Sequence, residues 1–225
     1  MHFVDWGLID YREAWERQRA LAARLIAQKT GAAAAADGAE HPPAGNTFVF
    51  CEHPHVYTLG RNGRKDNLLV DAAFLKTLNA ACYHVDRGGD ITYHGPGQIV
   101  GYPVLDLDTL HLSLRQYIFT IEETVIRTLR HYGLATERLA GAPGVWMDAG
   151  SPAARKICAI GVHASHGVTT HGFALNVNTD LAYYRHIHPC GFTDKGVTSL
   201  AAEKGRAIAI NEVKQWLQYH ANFEF

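Results

Sequence analysis

The feature that most constrains the fold is a pair of strand-like runs in the last third of the chain, joined by a short turn. The runs Lys156–Ala164 and Val168–Val177 are rich in Val, Ile, Ala and Phe. Only three residues, 165–167, separate them. So short a connection predicts an antiparallel hairpin, because parallel strands need a crossover of a dozen or more residues.

Two helices are predicted from a capping residue followed by apolar residues at helical spacing. Asp10 precedes a helix that runs to about Gln28. Ser113 precedes a second helix that runs to about His131. We therefore expect helices on either side of a run of strands.

Further strand-like segments occur at residues 47–51, 56–59, 81–85, 99–107 and 145–147. Pro103 within one of them indicates an edge strand or a bulge, because proline cannot donate to a sheet ladder. The strands come in groups and do not alternate strictly with helices. This order predicts an α+β (α/β) fold, with a mixed, mostly antiparallel sheet flanked by helices.

The composition is that of a globular protein without a strong charge bias. Apolar residues make up 47% of the 225 residues, and 21 Lys and Arg balance 22 Asp and Glu. No basic field indicates nucleic acid binding, and no apolar run approaches the roughly 20 residues of a membrane span. We expect one domain over residues 1–225, located in the cytoplasm, with the Ala-, Gly- and Pro-rich residues 30–46 as a flexible loop.

One of the four cysteines differs from the others in its surroundings. Cys51, Cys82 and Cys158 lie in apolar, strand-like segments, where we expect small buried core residues. Cys190 lies between a proline and a glycine, in a tight turn that can hold a thiol clear of the sheet. Cys190 is therefore the candidate nucleophile.

A nucleophilic thiol needs a nearby cation or base, because the thiolate is the reactive form. Lys156 is the candidate partner of Cys190. It would either take the thiol proton after desolvation or, as an ammonium, stabilise the thiolate in an ion pair. The alternative is a solvated lysine at the end of a strand.

The histidines offer competing interpretations. His186, His188 and Cys190 alternate, so in an extended segment they share one face, and with His94 or His171 they would form a zinc site. The metal motifs HExxH and CxxC are both absent, and we expect no metal. His94 and His171 lie beside glycines. They would serve as general bases, as hydrogen-bonding groups of a pocket, or as ordinary loop residues.

Residues 87–98, RGGDITYHGPGQ, form a glycine-rich segment with three interpretations. Glycine is needed where the backbone takes positive φ or approaches another molecule closely. The segment would cradle a phosphate, line a ligand pocket or form only a tight turn. The nucleotide motifs GxxxxGK[ST] and GxGxxG are absent, which disfavours the phosphate.

Five segments in the same order resemble the octanoyltransferases of lipoate biosynthesis. They are residues 87–98, 156–161 (KICAIG), 171–178 (HGFALNVN), 188–191 (HPCG) and 196–200 (GVTSL). Each is weak alone, but five in order are highly specific. This sequence departs from the family pattern at three places. Asp90 stands where Glu is common, Cys158 stands where a small residue is common, and the insertion at residues 30–46 is longer than usual.

The resemblance implies a fold like that of the biotin/lipoate protein ligases and a transfer without ATP, metal or other cofactor. Octanoyl-acyl carrier protein would be the donor. Cys190 would carry the acyl group as a thioester, and Lys156 would lower the pKa of that thiol. The acceptors would be lipoyl domains of 2-oxoacid dehydrogenases and the glycine cleavage H protein.

The resemblance also implies a set of pocket residues, with His171 as a possible auxiliary group. They are Arg87, Gly88, Gly89, Asp90, Ile91, Thr92, Tyr93, His94, Ala159, Ile160, Gly161, Gly172, Phe173 and Ala174. Three other functions stay open. An ATP-dependent lipoate or biotin protein ligase would bind ATP, a lipoyl-protein amidotransferase would use another donor, and a binding module would not need Cys190.

Overall fold

The computed structural model describes residues 1–31, 45–188 and 195–225. In chain order the elements are β1 (His2–Leu8), α1 (Tyr11–Thr30), β2 (Thr47–Glu52), β3 (Val56–Leu59), α2 (Ala72–Thr77), β4 (Ala81–His84), β5 (Ile91–His94), β6 (Gln98–Val104), α3 (Leu114–Arg130), β7 (Glu137–Leu139), β8 (Ala142–Met147), β9 (Arg155–Ser165), β10 (Val168–Asn176), β11 (Gly196–Val197), α4 (Leu200–Lys204) and α5 (Ile210–Glu224). Two short 3₁₀ helices cover Lys65–Asn67 and Leu181–His186.

Among these residues, the strands form two sheets. The larger sheet has the order β1, β2, β6, β10, β9, β8, β7, with β11 beside β9. Only the β1–β2 and β9–β11 pairs in it are parallel. The smaller sheet has the order β4, β3, β5. This arrangement confirms the predicted α+β fold with a mostly antiparallel sheet, and β9 and β10 form the predicted hairpin.

The predicted helix caps are present. The Asp10 side chain accepts hydrogen bonds from the first turn of α1, and Ser113 and Gln116 form a reciprocal capping box at α3. These bonds satisfy backbone N–H groups that a helix start leaves unpaired.

The helices cover the two faces of the larger sheet. One apolar cluster joins α3 and α5 to Phe173 and Leu175 of β10. Another joins Ala14 of α1 to Val100 and Ala174 on the opposite face. Side chains along β10 therefore alternate between the two helical layers, as the pleat of a strand requires.

Pro103 lies in a central strand, so the expectation of an edge position was wrong. β6 pairs with β2 on one side and β10 on the other. Continuing the β6–β10 register places Pro103 opposite His171. Because proline has no N–H group, the ladder is interrupted there, and the Thr169 hydroxyl donates to the Pro103 carbonyl instead (2.7 Å).

The glycine-rich segment connects the two sheets. β8 pairs with β9 only as far as Ala159, and beyond that point the Gly88 N–H donates to the Val162 carbonyl on the same edge (2.9 Å). A Cβ atom on Gly161 would lie 3.0 Å from the Gly88 carbonyl oxygen. Glycine at 161 therefore permits the close contact between the sheets.

Two expectations concern residues that the structure does not describe. Residues 32–44 of the predicted loop at 30–46 lie outside the described residues, and so does Cys190. Within the part of the chain that is described, no helix has the length and apolar character needed to cross a membrane.

Candidate active site

A cavity of about 600 Å³ lies between the glycine-rich segment and the larger sheet. Lys156, His171 and thirteen of the fourteen predicted pocket residues line it. Tyr93 is the exception. Its ring is fully buried, and its hydroxyl lies 2.7 Å from His55 Nδ1. Tyr93 packs instead with Tyr57, Leu59 and Tyr184 in a separate apolar cluster.

The floor of the cavity consists of small residues on two neighbouring strands. Ala159 and Gly161 of β9 pair with Ala174 and Gly172 of β10. The glycines allow close approach of neighbouring backbone, because a Cβ atom would lie 3.0 Å from the Gly88 carbonyl oxygen at Gly161 and 2.1 Å from the Gly101 carbonyl oxygen at Gly172. The cavity volume falls within the usual range of small-molecule sites.

A β-bulge places Lys156 in this cavity. Val145 pairs with Cys158 and Trp146 pairs with Lys156, which leaves Ile157 as an extra residue on β9. Ile157 and Cys158 are both fully buried in the cluster beneath α3, although neighbours on a regular strand face opposite sides. The extra residue turns Lys156 to the other face of the sheet.

The Lys156 amine is held at the wall of the cavity. Its Nζ lies 4.6 Å from the centre of the Trp146 ring and donates to the Pro143 carbonyl (3.2 Å). A cation over an indole face is attracted by the electron density of the ring. This arrangement holds a positive charge beside the cavity in a partly desolvated position.

Residues on both sides of the undescribed 189–194 segment lie close to the cavity. The His188 N–H donates to the Asn67 carbonyl (2.9 Å). Lys195 lines the cavity, and Val197 pairs directly with Lys156 in the sheet.

Asp90 organises the first of these attachments. Its carboxylate accepts hydrogen bonds from the N–H groups of Arg64 (3.1 Å) and Ile91 (2.7 Å), and from the Asn67 side chain. Asn67 in turn holds His188. Asp90 thus organises the turn at residues 64–67, to which the His188 backbone is bonded.

Arg87 is buried and bonds to neutral groups of the fold. Its guanidinium donates to the Thr58 carbonyl (2.6 Å), to the Thr58 hydroxyl (2.9 Å) and to the Gly88 carbonyl (3.0 Å). These bonds hold the glycine-rich segment over the cavity.

His171 adopts a left-handed backbone conformation, with φ of 59°. Its N–H donates to Gln18 Oε1 of α1 (3.0 Å). Its Nε2 lies 2.8 Å from Asp86 Oδ1. This bond lowers the pKa of Asp86 to about 2, and burial lowers the pKa of His171. His171 is therefore a neutral imidazole that donates from Nε2.

A buried hydrogen-bond network fixes the state of His94. The Asn176 amide donates to the Thr198 carbonyl (3.0 Å), so its oxygen accepts from Gln98 Nε2 (2.9 Å). Gln98 Oε1 then accepts from His94 Nδ1 (2.8 Å). Burial lowers the pKa of His94 well below its ordinary value. The imidazole is thus neutral, and its Nε2 carries a lone pair.

Several cavity residues were not singled out from the sequence: Tyr11, Asn62, Val100, Tyr102, Trp146, Asn176, Tyr184 and Lys195. Asn176 lies inside the 171–178 segment of the resemblance, which was a usable signal. Tyr11 and Trp146 carry no local signal, because an aromatic residue in a helix or strand is usually a core residue.

Two further candidates from the sequence are the zinc site and the Cys158 thiol. No group of three or more His, Cys, Asp or Glu with metal-binding geometry occurs within residues 1–31, 45–188 and 195–225. The Cys158 thiol is fully buried under α3, and burial raises its pKa.

Comparisons with known proteins identify the family of the chain. The family model of the lipoyl protein ligase A/B catalytic domain matches residues 10–221. An octanoyltransferase of Bacteroides thetaiotaomicron is 53% identical over 215 residues, which cover 96% of this chain and 91% of that protein. An octanoyltransferase of Christiangramia forsetii is 51% identical, over 95% of this chain and 91% of that protein.

Among solved structures, a bi-partite lipoate protein ligase of Thermoplasma acidophilum matches with a TM-score of 0.69 and 16% identity, over 99% of this chain and 82% of that chain. This likeness shows a shared fold and confirms the predicted ligase-like architecture. Because the family model spans most of the chain and about half of the residues are identical to those of octanoyltransferases, the chain belongs to the lipoyl protein ligase A/B catalytic family, as an acyltransferase that transfers octanoyl groups in protein lipoylation.

Proposed function

We propose that the chain transfers an octanoyl group from octanoyl-acyl carrier protein to a specific lysine of a lipoyl domain, through a thioester on Cys190. Lys156 lowers the pKa of the Cys190 thiol. The observation that carries this proposal is the bulge in β9, which turns Lys156 into the cavity.

The covalent chain supports the pairing of Cys190 with Lys156. Cys190 follows His188 by two residues in the chain. His188 is tied to the turn that Asp90 organises, and Asp90 lines the cavity. Five residues after Cys190, the chain is again at the cavity, at Lys195.

In the first step, the Cys190 thiolate attacks the donor thioester carbonyl. A new C–S bond forms, the donor C–S bond breaks, and the released thiol takes up a proton. In the second step, the acceptor lysine amine attacks the Cys190 thioester. The amide C–N bond forms, the C–S bond to Cys190 breaks, and a proton of the amine passes to the released thiolate. Exchange between two thioesters is nearly balanced, so the transfer needs no nucleotide.

The cavity suits the acyl chain. Its floor is apolar and narrow, and burial of an acyl chain contributes about 0.8 kcal/mol per methylene. Arg87, Gly88 and Gly89 close over the chain, with Ala159, Gly161, Gly172 and Ala174 beneath it. The acceptors are lipoyl domains of 2-oxoacid dehydrogenases and the glycine cleavage H protein, and the reaction takes place in the cytoplasm.

Mass spectrometry of the intact protein tests the thioester. Mixed with octanoyl-acyl carrier protein, the wild type gains one octanoyl group, which hydroxylamine removes. Cys190→Ala gains none. Cys82→Ala is the matched control, because Cys82 is a half-buried thiol that does not line the cavity. An equal adduct on Cys190→Ala would contradict the proposal.

The choice of donor separates the alternatives. Octanoyl transfer from free octanoate with ATP would indicate a ligase. Transfer from an octanoylated lipoyl protein, and none from the carrier protein, would indicate an amidotransferase. We expect the carrier-protein thioester to be the productive donor.

A further inference from the structure

The end of the cavity remote from Lys156 is lined by polar groups. Gly161 follows Lys156 by five residues on β9, about 13 Å along the strand when the extra residue of the bulge is left out. Gly172 pairs with Gly161, and the β6–β10 register places Tyr102 beside Gly172. Tyr11 packs on His53, which bonds to the Tyr102 hydroxyl (2.7 Å). This separation accommodates an extended eight-carbon chain with its thioester at the Lys156 end.

Three polar atoms of the remote end have no hydrogen-bond partner among the described residues. They are the Tyr11 hydroxyl, His94 Nε2 and His171 Nδ1. His94 Nδ1 is used by Gln98, and His171 Nε2 is used by Asp86. All three residues line the cavity and are less than a tenth exposed.

The states of these atoms are complementary to a hydroxyl group. Both imidazoles present a lone pair, because their other nitrogens carry the proton. The Tyr11 ring stacks on His94, with 5.7 Å between centroids, and its O–H is a donor. A ligand hydroxyl donates one hydrogen bond and accepts others, so it can bond to an imidazole and to Tyr11 together.

The methyl end of an octanoyl chain cannot form a hydrogen bond with these atoms, whereas a hydroxyl group can. We propose that the remote end of the cavity, formed by Tyr11, His94 and His171, is a hydrogen-bonding subsite for a terminal hydroxyl, so that the enzyme also transfers ω-hydroxylated medium-chain acyl groups. This inference rests on the proposed function, because it places the thioester beside Lys156.

The reaction is the same acyl transfer with a different acyl group. The thioester C–S bond breaks, an amide C–N bond forms, and a proton of the acceptor amine passes to the released thiol. The terminal hydroxyl is unchanged. No additional reactant is required.

The test compares two donors of equal chain length. Nonanoyl- and 8-hydroxyoctanoyl-acyl carrier protein differ only in a terminal methyl or hydroxyl. We measure kcat/KM for each donor and take the ratio of hydroxyoctanoyl to nonanoyl. The wild-type ratio is expected to lie within about threefold of one, because the subsite replaces the water that the hydroxyl loses. A ratio of about one tenth or less, the result for an apolar end, overturns the proposal.

The variant Tyr11→Phe removes one subsite group at nearly constant volume, and its ratio should fall about fivefold. Tyr117→Phe is the matched control. Its hydroxyl is also buried, but it donates to the Pro103 carbonyl (3.0 Å) and does not line the cavity, so its ratio should equal that of the wild type. An unchanged ratio in Tyr11→Phe, or an equal fall in Tyr117→Phe, overturns the proposal.

Octanoyl transfer by the wild type is measured in parallel. Its absence means that the proposed function fails. Normal octanoyl transfer with a low hydroxyoctanoyl ratio means that only the subsite fails.

Discussion

At the scale of single residues, the distinctive feature is how Lys156 is held. The Trp146 ring and the Pro143 carbonyl fix its amine at the cavity wall. These contacts hold a positive charge at the edge of the space that the substrate would occupy. The amine is thus suited to stabilise a thiolate.

The variant Lys156→Ala should slow acylation of the enzyme about a hundredfold or more, as expected for loss of an acid–base group. The donor concentration at half-saturation should change by less than about threefold, because the amine acts on the thiol and contributes little to donor binding. Single-turnover kinetics with octanoyl-acyl carrier protein measure both quantities.

Lys76→Ala is the control, since Lys76 is exposed on α2 and does not line the cavity. A Lys156→Ala rate equal to the control rate would refute the Cys190–Lys156 dyad.

At the scale of secondary-structure elements, two departures from regular strand geometry build the site. The bulge at Ile157 turns Lys156 to the cavity face. The left-handed conformation of His171, opposite Pro103, turns its imidazole towards Asp86. Strained or irregular backbone of this kind is common at functional sites. Close packing of the neighbouring strands is needed to hold both irregularities in place.

The close packing of β6 against β10 can be tested by substitution at Gly172. A Cβ atom on Gly172 would lie 2.1 Å from the Gly101 carbonyl oxygen and 2.7 Å from Pro103 Cδ. Gly172→Ala should therefore force the two strands apart and lower the free energy of unfolding by about 3 kcal/mol. Urea denaturation followed by circular dichroism measures this change.

Gly150→Ala is the matched control. A Cβ atom at Gly150 would have no atom within 4 Å, so the change should stay within about 0.5 kcal/mol. Equal effects of the two substitutions would show that the β6–β10 contact is not tight.

At the scale of the whole molecule, the two sheets and α1 enclose several uncharged histidines. Burial lowers the pKa of His53 to about 4 and also lowers the pKa values of His94 and His171. In the unfolded chain a histidine binds a proton near pH 6.5. Below that pH the unfolded state binds more protons than the folded state, so stability falls as the pH falls.

His53 accounts for one measurable part of this dependence. Its contribution is complete above pH 6.5 and is lost as the pH falls towards 4, at about 1.4 kcal/mol per pH unit. The variant His53→Asn keeps an N–H group near the Ile9 carbonyl but does not titrate. Its free energy of unfolding should decline less steeply between pH 6.5 and 5 than that of the wild type.

Urea denaturation at pH 8, 6.5, 6 and 5 gives the pH dependence of the free energy of unfolding for both proteins. The values at pH 8 give the part of the difference between them that does not depend on pH. Parallel curves over this range would contradict the assignment of His53 as a neutral buried group.

Local features of this protein follow from sequence alone. The caps at Asp10 and Ser113, the β9–β10 hairpin and the family resemblance depend on residues that are close together in the chain. The parallel pairing of β1 with β2 was not anticipated, because it joins segments about forty residues apart. Residue types at matching positions were enough to indicate acyl transfer.

The direction of individual side chains was decided by tertiary structure. In a regular strand, Ile157 and Cys158 would face opposite sides of the sheet. In β9 they share a face because β8 pairs with Lys156 and Cys158 and leaves Ile157 between them as a bulge. In the same way, the partner of the His171 imidazole is Asp86, which lies 85 residues earlier in the chain. Strand register is set by partners distant in the chain, and a shift of one residue reverses the face of every side chain beyond it.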